Sequence, residues 1–260
     1  SIGFCFSYPT EITKDGDGIL LGFSKEVKAP EVVGKPIGKS LSDALVEHGW
    51  NRPKSVALLN DTVAALLAGA ASGKQGVKYS SYIGFILGTG MNAAYIQPKT
   101  PGLKDFEDSQ IIVCESGKFC SVIQSDFDKE VDSNTTKPGT FFMEKGCSGA
   151  YLGPLSFFFF LMAAKEGLLS DKVCQNILAL EKLTLIETSG FLLAPYDEEN
   201  TIGKILAENG TEEDYGFIYE LLDAIVERSA RYAATILTAC AIQSGEGKNP
   251  AKPICMLCNG

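Results

Sequence analysis

The sequence predicts an α/β fold, and three observations carry that prediction. The short apolar run Val56–Leu59 stops on Asn60-Asp61 and gives way at once to an alanine- and leucine-rich helical stretch at residues 62–71. Residues 82–87 and 93–97 both have strand character and are joined through Gly88-Thr89-Gly90. From residue 151 onward the pattern is mainly helical, closing on one apolar run at residues 254–257. Strands alternating with helices in this way call for a sheet with helices packed on it.

The bulk numbers narrow the function. A chain of 260 residues, 45% of them hydrophobic, can bury a sizeable core as one large domain, or one domain plus part of another. A formal charge of -9 without any Lys/Arg run speaks against a nucleic-acid groove, so the expected partner is a small molecule. Eight cysteines are scattered among apolar residues, which predicts reduced thiols and a cytoplasmic protein. Cys255 and Cys258 are expected in a buried strand rather than in a zinc site, since His48 is the sole histidine. The apolar stretch at residues 155–164, with Phe157 to Phe160 at its centre, is about half the ~20 residues a membrane span needs and predicts a core helix. A start at Ser1 without Met, and a final Cys258-Asn259-Gly260 that reads as an opening turn, suggest a fragment.

In chain order, residues 2–8 alternate bulky and small side chains up to Pro9 and are expected to form a strand. Lys14 to Gly18 is a turn, and Gly22-Phe23-Ser24-Lys25 a polar loop in which Lys25 is either solvated or a cation beside an anionic group. Ser40 is expected to cap an amphipathic helix running to Glu47, with His48 at its favourable C-terminal end and Gly49 as the stop. Asn60, Asp61 and Thr62 are all good N-cap residues, so Asp61 alone can be read as a cap or as a carboxylate with chemistry to do. Ser72-Gly73-Lys74-Gln75 is a helix end; Ala68 and Gln75 stand where a P-loop needs Gly and Ser or Thr.

Gly88-x-Gly90-x-x-Ala93 matches a dinucleotide-binding string, but that motif opens a helix and here the chain returns to strand pattern. The turn is therefore a hairpin whose backbone N–H groups and Thr89 hydroxyl either converge on a phosphate or simply close the turn. Residues 111–113 form a short strand that delivers Glu115. Asp126, Asp128, Glu130 and Asp132 are expected on a solvated face. Glu144 and Lys145 precede Gly146-Cys147-Ser148-Gly149. Helices follow at 152–166, 170–180 and 215–242, the last expected to break or bend.

Several separated segments together resemble one family. Gly3-Phe4-Cys5-Phe6-Ser7-Tyr8-Pro9, Phe23-Ser24-Lys25, Leu59-Asn60-Asp61-Thr62-Val63-Ala64, Gly84 through Ala93, Pro138-Gly139 with Glu144-Lys145, and Ser148-Gly149-Ala150-Tyr151-Leu152-Gly153 are similar, in this order, to motifs of the hexokinases. The resemblance spans essentially the whole chain. It implies an actin-like ATPase (ribonuclease H-like) fold, a mixed sheet with flanking helices, and an active site between two domains. Residues 1–60 would be the C-terminal remnant of the small domain and 61–260 the large domain, truncated at the adenosine motif.

The implied reaction is ATP-dependent phosphorylation of a hexose, with glucose as the expected substrate, at its 6-hydroxyl. Such a transfer needs a base at the hydroxyl proton, charge compensation on the phosphoryl group and a cleft that excludes water. By resemblance Asp61 is the base and Lys25 compensates charge. Ser7, Ser24, Lys25, Asn60, Asp61, Asn92, Glu115 and Glu144 contact the sugar, and Thr89, Gly90, Gly149 and Thr188 the nucleotide, with Mg²⁺ arriving on the ATP phosphates rather than in a protein cage. Val113 departs from the family's usual Asn, Ser116 from an aromatic, and Ala150 from a Lys found in some relatives. A non-catalytic hexokinase-like sugar sensor is the alternative, and an actin- or chaperone-like ATPase a third reading. With one side of the cleft outside the sequence, these residues alone are expected to be nearly inactive. At the junction, Asn60 is expected to end the strand at the sugar, Asp61 to project as base and Thr62 to cap the helix, whose dipole favours an ionised carboxylate.

Overall fold

Backbone pairing begins with β1 (Ile2–Cys5) in a computed structural model that describes residues 1–23, 29–100, 102 and 108–260. Ser24 and Lys25 lie outside the described residues. β1 is shorter than the expected run to residue 8. β2 (Thr10–Ile12) and β3 (Gly18–Leu20) pair antiparallel across the Lys14 to Asp17 turn, and α1 (Ile37–Glu47) follows. Ser40 does not cap α1; its hydroxyl donates to the Pro36 carbonyl. The cap is remote: Asp17 accepts the Gly38 N–H at 2.5 Å and the Lys39 N–H at 2.8 Å, so the β2–β3 turn fixes the start of the helix. β4 (Val56–Leu59) then lies parallel to β1 with Leu59 opposite Cys5.

α2 (Asp61–Ala71) starts immediately after β4. It covers a four-stranded sheet of order β7-β6-β5-β8, made of β5 (Ser81–Leu87), β6 (Met91–Gln97), β7 (Gln110–Val113) and the last strand of the chain, β8 (Ile254–Asn259). β5 and β6 form the expected antiparallel hairpin, Leu87 opposite Met91, and β8 runs parallel to β5. α2 can lie directly on β5 because residue 84 is glycine: a Cβ there would sit 2.0 Å from the Thr62 carbonyl and 2.7 Å from the Leu66 nitrogen. Gly69, two turns on, lies over Tyr82 and Leu257. The N-terminus of α2 therefore faces the end of the sheet where β5 turns into β6. β8 is an edge strand with Cys258 exposed and Cys255 half-buried, which corrects the expectation of a buried strand.

The second half is helical: α3 (Asp126–Ser133), α4 (Phe142–Lys145), α5 (Gly149–Lys165), α6 (Asp171–Leu178), α7 (Leu185–Leu193), α8 (Thr201–Asn209) and α9 (Glu212–Ser244). α5 is apolar on all sides and buries Leu155 and Phe160, as a core helix should. Among the described residues no helix is long and apolar enough to cross a membrane. α9 is one unbroken helix of 33 residues, contrary to the expected break, and the reason is that it serves two cores. Ile218, Leu221, Leu222 and Ile225 pack with Phe160, Phe191 and Val173, while Tyr232, Ile236 and Cys240 pack against the sheet with Ile83, Phe85 and Tyr95.

The acidic stretch on α3 is not simply solvated. Asp128 is buried and accepts from Arg228 of α9 at 2.9 Å, and Asp132 pairs with Lys145 of α4 at 2.5 Å, with Lys145 itself only 5% exposed. The alternating acids thus supply two inward partners and leave Asp126 on the surface with Lys129.

Candidate active site

Two parallel strand ends meet at one edge. The Phe6 N–H donates to the Leu59 carbonyl at 2.9 Å, so the chain leaving β1 toward Ser7 and the chain leaving β4 toward Asn60 and Asp61 emerge side by side. Carboxyl ends of parallel strands are where α/β proteins commonly bind ligands. Ser7 is exposed there, and Tyr8 beyond it packs edge-on against Phe23 with centroids 4.9 Å apart.

Capping is divided differently from the expectation. Asn60 is the N-cap: its Oδ1 accepts the Thr62 N–H at 3.0 Å and the Thr62 hydroxyl as well. Thr62 is fully buried and lies inside the first turn, so it cannot cap. Asp61, at the first helical position, accepts the same Thr62 N–H at 2.8 Å and stays half-exposed. Burial and the nearby Asp61 carboxylate push the Cys5 thiol above its ordinary value, which places the Asp61 charge beside the end of β1.

A second group of side chains assembles around the start of β6. The Asn92 amide donates to Glu115 Oε1 at 3.3 Å, and its carbonyl accepts the N–H groups of Ala93 at 2.8 Å and Ser116 at 3.3 Å. Glu144 Oε2 accepts the Met91 N–H at 3.0 Å. Gly117 lets the two carboxylate-bearing segments touch, since a Cβ there would lie 2.9 Å from the Met91 carbonyl and 3.1 Å from Glu144 Oε2. Glu115 and Phe141 are the two non-glycine residues with positive φ among the described residues, at 51° and 60°. Each directly introduces one of these segments, and such strained backbone is concentrated at sites that need fixed geometry. Glu115 also pairs with Lys118 at 2.9 Å on the exposed side.

The hairpin turn carries the link to the helical half. The carbonyls of Gly88 and Thr89 accept the Gly149 N–H at 2.8 Å, the Ala150 N–H at 3.3 Å and the Ser148 hydroxyl at 3.0 Å. The first N–H groups of α5 are thus spent on the hairpin, which locks the turn onto the helix end. Beside it opens a cavity of about 560 Å³ lined by Gly88, Thr89, Gly149, Leu185, Val226 and Gly260, among others. Its walls are mainly apolar, which suits a flat heterocycle more than a sugar. Thr188 is not in that lining; it is buried and its hydroxyl donates to the Leu185 carbonyl, so Leu185, which sequence reasoning did not single out, stands at the cavity instead. Lys145 holds only a motif position in the sequence, and its buried bond to Asp132 arises from packing of α4 on α3.

Comparison with known proteins bears on this arrangement. Two family models, both described as hexokinase, match residues 82–260 and 1–71. The chain is 31% identical over 251 residues to hexokinase-9 of Oryza sativa subsp. japonica, covering 90% of this chain and 48% of the relative. It is 27% identical to Homo sapiens hexokinase-1, covering 92% of this chain and 26% of that one. The chain therefore spans about half or less of the length of these relatives. A solved hexokinase from Schistosoma mansoni, complexed with glucose, superposes with a TM-score of 0.77 at 21% identity, over 98% of this chain and 66% of the other.

Proposed function

Since the chain belongs to the hexokinase family and has that family's actin-like fold, we propose that it supplies most of the active site of an ATP-dependent hexose kinase acting on the 6-hydroxyl, glucose being the first candidate. One observation carries the reading. Asn92, Glu115 and Glu144 are knitted into a single polar cluster at the start of β6, on the hairpin whose turn lies beside the apolar cavity. Family membership and the glucose-bound structural relative support the choice of sugar.

In this reading Asp61 accepts the proton of the hexose 6-hydroxyl as that oxygen attacks the terminal phosphoryl of ATP. It stands at the first helical position of α2, half-exposed, where its carboxylate also accepts the Thr62 N–H. Asn60, Glu115, Glu144 and Asn92 hold the sugar hydroxyls, with carboxylates accepting and the amides both donating and accepting. Ser7 adds a hydroxyl at the end of β1. Ser24 and Lys25 complete the sugar and phosphoryl contacts by family resemblance. Thr89 and Gly149 in the cavity lining, with Gly90 next along the hairpin turn, would hold the nucleotide, Thr188 acting through its bond to Leu185, and Mg²⁺ carried in on the phosphates would neutralise charge. Residues 1–60 are read as the end of the small domain and 61–260 as the large domain. The scattered thiols favour a reducing, cytoplasmic setting.

A coupled assay on the protein carrying this sequence tests the reading. Asp61→Asn is expected to lower kcat by about 10²–10⁴ while leaving glucose affinity within a few-fold. Near-normal turnover by that variant would remove Asp61 from the base role, and no glucose phosphorylation by the parent would end the proposal.

A further inference from the structure

Cys114 and Cys240 are 126 residues apart in sequence, yet their Sγ atoms lie 3.7 Å apart. That separation is a thiol hydrogen bond, longer than a disulfide bond but at van der Waals contact. Cys114 is half-buried at the end of β7; Cys240 is buried on α9 in the cluster that includes Tyr95 and Ile83. We propose that this pair is a reversible oxidation site: a peroxide closes it into an intrachain disulfide that ties the end of β7 to α9 and shifts Glu115, the next residue along the chain.

The asymmetry of the pair suits that chemistry. Either sulfur can donate in this contact; with Cys240 as the donor, the bond holds Cys114 below the usual thiol value against the effect of burial, and the same bond together with burial pushes Cys240 up. Cys114 is the half-buried sulfur and so the one a peroxide reaches first, and the buried Cys240, 3.7 Å away, is placed to resolve it. The Cys114 thiolate attacks one peroxide oxygen, the O–O bond breaks and hydroxide leaves, giving a sulfenic acid. The Cys240 sulfur then attacks the sulfenic sulfur, gives up its proton and displaces hydroxide, which leaves as water. In sum two thiols lose two electrons and two protons, and one hydrogen peroxide becomes two waters.

The link to function rests on the hexose-kinase reading. The Glu115 backbone is held at φ 51°, and its carboxylate bonds to Asn92 and Lys118. The Cys114 N–H donates to the Ala93 carbonyl at 2.9 Å, so a pull on Cys114 toward α9 is transmitted to both ends of the Asn92–Glu115 contact. Losing one charged hydrogen bond to a hexose corresponds to roughly a tenfold weaker Kd.

The test treats the reduced protein with hydrogen peroxide, maps peptides by mass spectrometry and measures glucose binding by calorimetry before and after. The expected result is a Cys114–Cys240 linked peptide, loss of two titratable thiols, about tenfold weaker glucose binding, and full recovery with dithiothreitol. Cys114→Ser and, separately, Cys240→Ala should abolish the linked peptide and keep glucose affinity through peroxide treatment; the first, at the half-buried position, keeps the test usable should the second fail to fold. Absence of the linked peptide overturns the proposal, and a linked peptide with unchanged glucose affinity overturns its coupling to Glu115. Should the reduced protein bind no glucose at all, the hexose-kinase reading fails, and the peptide map still decides the dithiol.

Discussion

Asn60 Oδ1 accepts the backbone N–H of Thr62 at 3.0 Å, so the residue that caps α2 is also a proposed sugar contact. Stability and binding should therefore separate by substitution. Asn60→Ala is expected to cost about 1 kcal/mol of stability and to weaken glucose binding. Asn60→Asp keeps an acceptor for the Thr62 N–H and should restore the stability without the binding. Urea unfolding alongside calorimetry checks this, and a variant that recovers both together would deny Asn60 a sugar contact.

The seat of α2 depends on Gly84, where a Cβ would meet the Thr62 carbonyl at 2.0 Å. Backbone cannot yield as a flexible side chain can, so Gly84→Ala should lift the first turn of α2 and cost about 1–3 kcal/mol or more. Because Asp61 rides on that turn, kcat should fall further than the folded fraction does. Unchanged kcat in a folded, destabilised variant would mean that the helix end is not the mechanical support of the base.

Lys145 and Asp132 form a pair whose side chains are 6% and 15% exposed, whereas the Lys39–Asp43 pair is 68% and 43% exposed. Lys145→Met should cost about 3–5 kcal/mol, because it leaves Asp132 charged and poorly solvated. Adding Asp132→Asn should recover much of the loss. Lys39→Met should cost about 0–1 kcal/mol. Equal effects of the two single lysine substitutions on the urea midpoint would contradict the role given to burial.

Asp214 accepts four hydrogen bonds, from the N–H and hydroxyl of Ser170 and of Thr211, at 2.8 to 2.9 Å. Burial works to raise its carboxyl, but the backbone and hydroxyl donors outweigh burial and hold it below the usual carboxylate value. The unfolded state then binds the proton more readily. The contribution of Asp214 is present above the unfolded value of about 3.9 and is lost as pH falls through the lower folded value. Asp214→Asn should flatten the decline of the urea midpoint in that acidic window. An unchanged slope would show that other carboxylates carry the acid limb.

Much of this protein was determined by sequence over short range. The β4-to-α2 transition, the Gly88 to Gly90 hairpin and the core helix at Phe160 all follow from patterns within about one turn or one strand, where local propensity and hydrophobic period act. The ordered motifs were enough to identify the family. What packing alone decided is which polar groups face each other: Asp17 capping α1 from 21 residues away, Asp128 meeting Arg228 across 100 residues, and Cys114 meeting Cys240. An Asp in an acidic run or a Cys beside a strand has the same local pattern whether it faces solvent or a partner. Only the close approach of segments, at Gly84 for α2 and at Gly117 for Glu144, makes that choice.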